Sequence, residues 1–345
     1  MKKVLIVALA VVSLSCAHAA TDTSAPQKPT AATKKPATKK AVAKKTLVKK
    51  APAKKTAARN TAKTVAVVQK PVLRQAQADM SDRIVGREMM PPGIQSSSVI
   101  VQDQATGSVL YEKNASAIVP IASISKLMTA MVSLDAQPDM RDVMSISEDD
   151  VDRIKGTRSR LTVGTQLTRE NMLRLALMSS ENRAAYALSR YYPGGRTAFV
   201  EAMNRKAQSL GLTDTHFEDP TGLTSANVSS ARDLVKMVAA AHQYPLIRQF
   251  TTTPEYTVDI GGREQVFHNT NSLVRNENSG WDIGLSKTGY INEAGKCLVM
   301  QAWFDQKPMI IVLLDSWGKM TRVADAVRIK KWVEHYALAN KANTI

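Results

Sequence analysis

Ser123 and Lys126 stand three residues apart at the head of a segment whose apolar residues, Ile124, Leu127, Met128, Met131 and Leu134, recur at spacings of three and four. That period predicts a helix after Pro120. Residues three apart on a helix share a face, with β-carbons about 5 to 6 Å apart, so the hydroxyl and the amine can share a hydrogen bond. A serine hydroxyl attacks only when a neighbour takes its proton. A lysine does so only as the neutral amine, and for that its reference pKa of about 10.4 must fall by roughly three units. Desolvation, a helix N-terminus and a second positive charge all push in that direction.

Two further strings offer partners. Ser180-Glu181-Asn182 falls at a break between helical segments, where a hydroxyl could relay a proton and an amide could hold a substrate backbone group. Lys287-Thr288-Gly289 closes a predicted strand. Lys287 would bring a positive charge beside Lys126 and lower its pKa, Thr288 could donate to a carboxylate, and Gly289 would let a substrate backbone approach the strand edge. Each string alone is weak. Together they occur in order, each in the context its chemistry needs.

The elements that must position them can be read from the pattern. Ser97 to Asn114 predicts a hairpin turning at Ala105-Thr106-Gly107. A helical block follows Thr168, breaks at Ser179-Ser180, resumes through Leu188 and stops at Pro193-Gly194-Gly195. Ala198 to Leu210 predicts a third helix, and Ser230 to Asp233 opens a fourth with a sequence like a capping box. Strands are expected at Tyr256 to Ile260, Glu264 to His268, Ile283 to Gly289, Lys296 to Phe304 and Met309 to Asp315, then a closing helix over about Arg322 to Leu338. The expected class is α/β or α+β: an antiparallel sheet drawing strands from both ends of the domain, flanked by helices, with a helical lobe inserted at about 140–250. A cleft is expected where the lobes meet.

Composition divides the 345 residues unevenly. Residues 1–19, with Lys2-Lys3, an apolar run from Val4 to Val12 and a small-residue end at Ala17-His18-Ala19, predict a secretory signal peptide. Residues 20–82 predict a disordered basic tether: from Thr21 to Met80 there are 13 lysines and two arginines against two aspartates, which is +13 of the formal +17. An acidic envelope polymer or an anionic membrane surface is its expected partner, and nucleic acid is not. Residues 83–345 form the predicted enzyme domain. Once the leader is removed only Cys297 remains, so no disulfide is expected within the domain.

The motif set resembles that of penicillin-binding proteins and class A β-lactamases. More specifically, Ile121 to Met131, Leu175 to Ala185 and Pro220-Thr221-Gly222-Leu223 resemble the D-alanyl-D-alanine carboxypeptidase and endopeptidase family, a likeness running from about Ser97 to Tyr336. The resemblance implies a β-lactamase/transpeptidase-like fold. It also implies that Ser123 is the acylated nucleophile and Lys126 its general base, with Ser180 and Asn182 as the second element. Lys287 and Thr288 would hold the substrate carboxylate, and the backbone N–H groups of Ser123 and Tyr290 would form the oxyanion hole. Arg322, 35 positions after Lys287, is the candidate for a further carboxylate clamp. Implied partners are the peptide stems of peptidoglycan, with β-lactams as inhibitors, and no cofactor or metal.

The chain ends at Ile345, soon after the last expected helix and without the C-terminal β domain and amphipathic anchor usual in membrane-tethered carboxypeptidases of the family, which favours a soluble or loosely associated endopeptidase. The resemblance implies a periplasmic D,D-endopeptidase cutting D-Ala–meso-diaminopimelate cross-links. The alternatives are a D,D-carboxypeptidase and a non-catalytic wall-binding protein with a basic tail. A β-lactamase is disfavoured because no E-x-x-L-N segment lies between Asn182 and Lys287, and Glu201 and Glu218 have no such context. A Ser-His-Asp hydrolase is disfavoured because G-x-S-x-G is absent and His216, His242, His268 and His335 are scattered. No H-E-x-x-H helix or paired cysteines point to a metal.

Overall fold

The structure, a computed structural model, describes residues 93–342. The signal peptide and basic tether expected over 1–82 lie outside the described residues. Both expected arms of the first hairpin form, as β1 (Ser98–Asp103) and β2 (Val109–Lys113). They join three long strands from the other end of the domain, β5 (Asp282–Ile291), β6 (Gly295–Phe304) and β7 (Lys307–Ser316). The sheet is antiparallel throughout, in the order β2-β1-β7-β6-β5, and β5 is an edge strand.

The central strands are apolar on both faces because both faces are covered. Side chains of successive strand residues point to opposite sides. Val99, Val101, Leu298, Met300, Ile311 and Leu313 pack with Ala326, Ile329, Trp332 and Val333 of the last helix, α7 (Thr321–Ala342). That helix is tied down by buried Asp325, which accepts from the Ser96 amide at 2.8 Å and the Ser96 hydroxyl at 2.6 Å. Ile100, Val299, Ile310, Val312 and Leu314 face a larger core built from the other helices.

Those helices are α1 (Lys126–Asp135), α2 (Arg169–Met178), α3 (Asn182–Arg190), α4 (Gly195–Ser209), α5 (Ala231–Ala241) and α6 (Pro245–Thr251). Thr168 caps α2 by accepting from the Asn171 amide, and Ser230 caps α5 by accepting from the Asp233 amide. Asp233 does not return the bond of a capping box; its carboxylate takes the Asp214 amide at 2.7 Å instead. α5 falls within the expected 140–250 insertion, yet it packs across β1, β6 and β7, so the sheet and the helical lobe share one core. The predicted strands before and after Gly261-Gly262 pair only with each other, as β3 (Glu255–Asp259) and β4 (Glu264–His268). Among the described residues no helix is long and apolar enough to cross a membrane.

Candidate active site

Ser123 lies on a 3-10 turn, Ala122–Ser125, that runs directly into α1, so the α-helix proper begins at Lys126 and not at the serine. The spacing still brings the pair together: Lys126 Nζ is 2.9 Å from Ser123 Oγ. Two neighbours hold the turn. Ala122 has φ +50°, and the Ser125 hydroxyl donates to its carbonyl at 2.8 Å. Gly222, at φ +81°, passes so close that a Cβ there would overlap the Ala122 carbonyl oxygen.

Lys126 is 1% exposed, and among the described residues its Nζ has three hydrogen-bond partners: Ser123 Oγ, Asn182 Oδ1 at 2.7 Å and the Thr221 carbonyl at 2.8 Å. Two of these can only accept, whereas the serine hydroxyl can also donate. Burial lowers the Lys126 pKa to about 7, with Asp219, Glu181 and Asp152 opposing the shift. The expected like-charge effect falls on the other lysine. Lys287, also 1% exposed, is pushed well below the usual lysine range by burial first and then by the charges of Lys126 and Arg322.

Asn182, the first residue of α3, is fixed at both ends of its amide. Its Nδ2 donates to Thr157 Oγ1 at 2.9 Å, and that hydroxyl donates to Asp152 Oδ2 at 2.6 Å. Asp152 also takes the amides of Ile154, Lys155 and Thr157. Burial pushes the Asp152 carboxyl up, but these hydrogen bonds outweigh it and leave it below the ordinary value. The carboxyl of neighbouring Glu181 is raised by burial despite its hydrogen bond from Ser159. Ser180, in the break between α2 and α3, has φ +61° and meets Lys287 Nζ at 2.9 Å. The expected serine and asparagine therefore split: Asn182 serves Lys126 and Ser180 serves Lys287.

The Lys287-Thr288-Gly289 string lies inside β5, which runs two residues further than expected, to Ile291. Lys287 also donates to the Thr288 carbonyl, and the Thr288 hydroxyl donates to Thr270 Oγ1 at 2.6 Å. Gly289 packs against the serine turn: a Cβ there would sit 3.0 Å from Ile121 O and 3.1 Å from the Ser123 amide nitrogen. Arg322, from the start of α7, donates to the carbonyls of Gly289 and Cys297 at 2.8 and 3.0 Å. Burial lowers its pKa. The structure thus brings every sequence-predicted site residue to one place, where the edge strand β5 faces the heads of α1 and α3.

A serine whose hydroxyl meets a buried, depressed lysine, beside a strand edge rimmed by cations, is equipped for acyl transfer to a substrate bearing a carboxylate. Comparison with known proteins agrees. The peptidase S11 family, described as D-alanyl-D-alanine carboxypeptidase, matches residues 86–318. The chain belongs to this family. It is therefore a serine-type D-alanyl-D-alanine peptidase of the penicillin-binding kind. It is 50% identical over 241 residues to a D-alanyl-D-alanine endopeptidase of Pseudomonas aeruginosa, covering 69% of this chain and 77% of the relative. It is 46% identical over 245 residues to the Escherichia coli D-alanyl-D-alanine endopeptidase, covering 70% and 78%. Among solved structures it is similar to the Streptomyces K15 DD-transpeptidase, with TM-score 0.66 and 29% identity over 72% of this chain and 99% of that one.

Several residues around the site were not singled out in the sequence. Asp219 takes the amides of Thr221, Gly222 and Thr224, shaping the turn that offers the Thr221 carbonyl to Lys126. Buried Asn227 donates to the Ser125 hydroxyl and the Asp219 carbonyl. Asp152, Thr157 and Thr270 complete the set. A buried Asp in Asp219-Pro220-Thr221-Gly222 was the one available hint, since Asp commonly seats such turns. Glu201 and Glu218 are exposed and pair with Arg205 and His216.

Proposed function

We propose that the protein is a periplasmic D,D-endopeptidase that hydrolyses the D-alanyl–meso-diaminopimelate cross-links of peptidoglycan through an acyl-enzyme on Ser123. The observation that carries this reading is the trio around Lys126 Nζ. As a neutral amine the lysine has two N–H groups and one lone pair. Asn182 Oδ1 and the Thr221 carbonyl use both N–H groups, so the lone pair is left for the Ser123 O–H.

The steps follow from that arrangement. Lys126 takes the proton of Ser123 as its oxygen attacks the carbonyl carbon of the D-alanine residue. The developing oxyanion is held by the N–H groups of Ser123 and Tyr290, and preorganised donors of this kind are worth several kcal/mol. The Lys126 ammonium then returns its proton to the leaving amine. In both terminal D-Ala-D-Ala and cross-linked stems, the bond cut is followed by a D-centre with a free carboxylate. Lys287, Thr288 and Arg322 form its clamp. Water hydrolyses the ester with Lys126 again taking a proton. β-Lactams acylate Ser123 and block it, because their amine leaving group stays tethered in the site.

A digest of purified cross-linked muropeptide dimers by the wild type and by Ser123→Ala tests the reading. Conversion of dimers to monomers by the wild type alone is expected. Release of free D-alanine with dimers intact would make the enzyme a D,D-carboxypeptidase instead.

A further inference from the structure

Among the described residues β5 is an edge strand of its sheet, so a peptide substrate can add beside it as a further strand. If the carboxylate end of the substrate lies at Thr288 and Arg322 and the scissile carbonyl at Tyr290, the acyl-donor stem continues past Tyr290 toward the turn between β5 and β6. An ion pair stands at that turn. Lys155 Nζ is 2.5 Å from Glu293 Oε1, the two lying 138 positions apart in sequence with side chains 30% and 43% exposed.

Both partners are mounted on fixed backbone. The Lys155 amide donates to Asp152 Oδ1 at 3.0 Å, and that same carboxylate orients Thr157 and, through it, Asn182. On the other side, buried Ala294 closes the turn by donating to the Ile291 carbonyl at 3.2 Å. A cation and an anion are thus presented to solvent side by side, one from the loop at 152–157 and one from the end of the substrate-binding strand. Exposed pairs of this type add little to stability, so opening this one costs little.

A zwitterionic amino-acid centre is the group that fits such a pair, since it replaces one ion pair with two: its carboxylate on Lys155 and its ammonium on Glu293. A lone ammonium gains Glu293 but meets the Lys155 charge. We propose that Lys155 and Glu293 form a subsite selecting donor stems whose residue before D-alanine ends in a free zwitterionic centre, as meso-diaminopimelate does, over stems ending in a lone ammonium, as L-lysine does. This rests on the site reading above and adds the chemistry of the donor residue to it.

The test is the ratio of kcat/KM for two otherwise identical stem peptides, one with meso-diaminopimelate and one with L-lysine before the D-alanine; losses common to both substrates cancel. The wild type should favour the first by about tenfold or more, and Lys155→Met or Glu293→Gln should bring the ratio to within about twofold of unity. The exchange variant Lys155→Glu with Glu293→Lys re-forms an ion pair with its poles reversed. It should not regain the preference. A preference that survives the single changes, or that the exchange variant restores, overturns the subsite in favour of a simple strap. Equal wild-type rates on both stems, with normal acylation by benzylpenicillin, overturn the subsite and leave the site reading standing. Loss of both cleavage and acylation in the wild type overturns the two together.

Discussion

In the mechanism proposed above Lys126 acts as the base, because burial favours its neutral amine over its charged form. With a pKa near 7, it is half neutral at neutral pH, against a negligible fraction at the ordinary value of 10.5. The neutral form is the base, so protonation removes it. The second-order rate of acylation by benzylpenicillin should therefore fall as pH falls through about 7, approach a tenfold loss per unit below that, and level off above pH 8. A rate flat from pH 5.5 to 8.5 would contradict this. Lys126→Arg should lose at least about a thousandfold in the same assay, because a guanidinium keeps its proton. A gentler change tests the support behind the base. Thr157→Val removes the hydroxyl linking Asn182 to Asp152, which frees the amide to turn away from Lys126. One such hydrogen bond is worth roughly 1 kcal/mol, so acylation should slow by about five- to tenfold, with the melting temperature moving only slightly.

At the scale of elements, the site depends on three backbone segments packed closer than side chains would permit. The serine turn is wedged between Gly222 and Gly289. Gly222→Ala would meet both a positive φ and the Ala122 carbonyl; it should cost about 2 to 4 kcal/mol in denaturant unfolding and at least about a hundredfold in acylation rate. A variant with wild-type stability would show that the turn can move aside. These contacts explain what could be read beforehand. Ser123, Lys126 and the 287–289 string were legible because their residue types are reactive, the first two strands because their arms alternate around a turn, and the last three because their apolar runs have strand length. The two-faced burial of β6 and β7 left a plain signal. Thr157 and Thr270 were not legible, since each meets a site residue well away in sequence, and Asp152 and Asp219 shape local turns whose link to the site appears only in the fold. Thr221, for example, reaches Lys126 across 95 positions. The short helix α6 did leave a mark, Pro245 at its first turn, where proline costs no hydrogen bond.

For the whole molecule, charge and chemistry occupy different parts of the chain. Residues 21–80 hold +13 of the +17, while residues 81–345 carry only +2, so the enzyme domain has little net attraction for an acidic polymer. Of the site's own basic side chains, Lys287 is buried and Arg322 partly buried, and both are committed to local partners. Any long-range attraction to an anionic wall is then predicted to come from the N-terminal lysines, and screening weakens such attraction once the Debye length falls to about 3 Å near 1 M salt. Removing residues 21–80 should therefore lower the fraction of protein that co-sediments with purified sacculi at 20 mM salt by about tenfold or more, and the difference from the full chain should vanish near 1 M. The acylation rate with benzylpenicillin, a small ligand needing no such attraction, should agree between the two forms to within about twofold. Equal co-sedimentation at low salt would show that the domain itself holds the wall; unequal acylation would show that the basic segment reaches the chemistry.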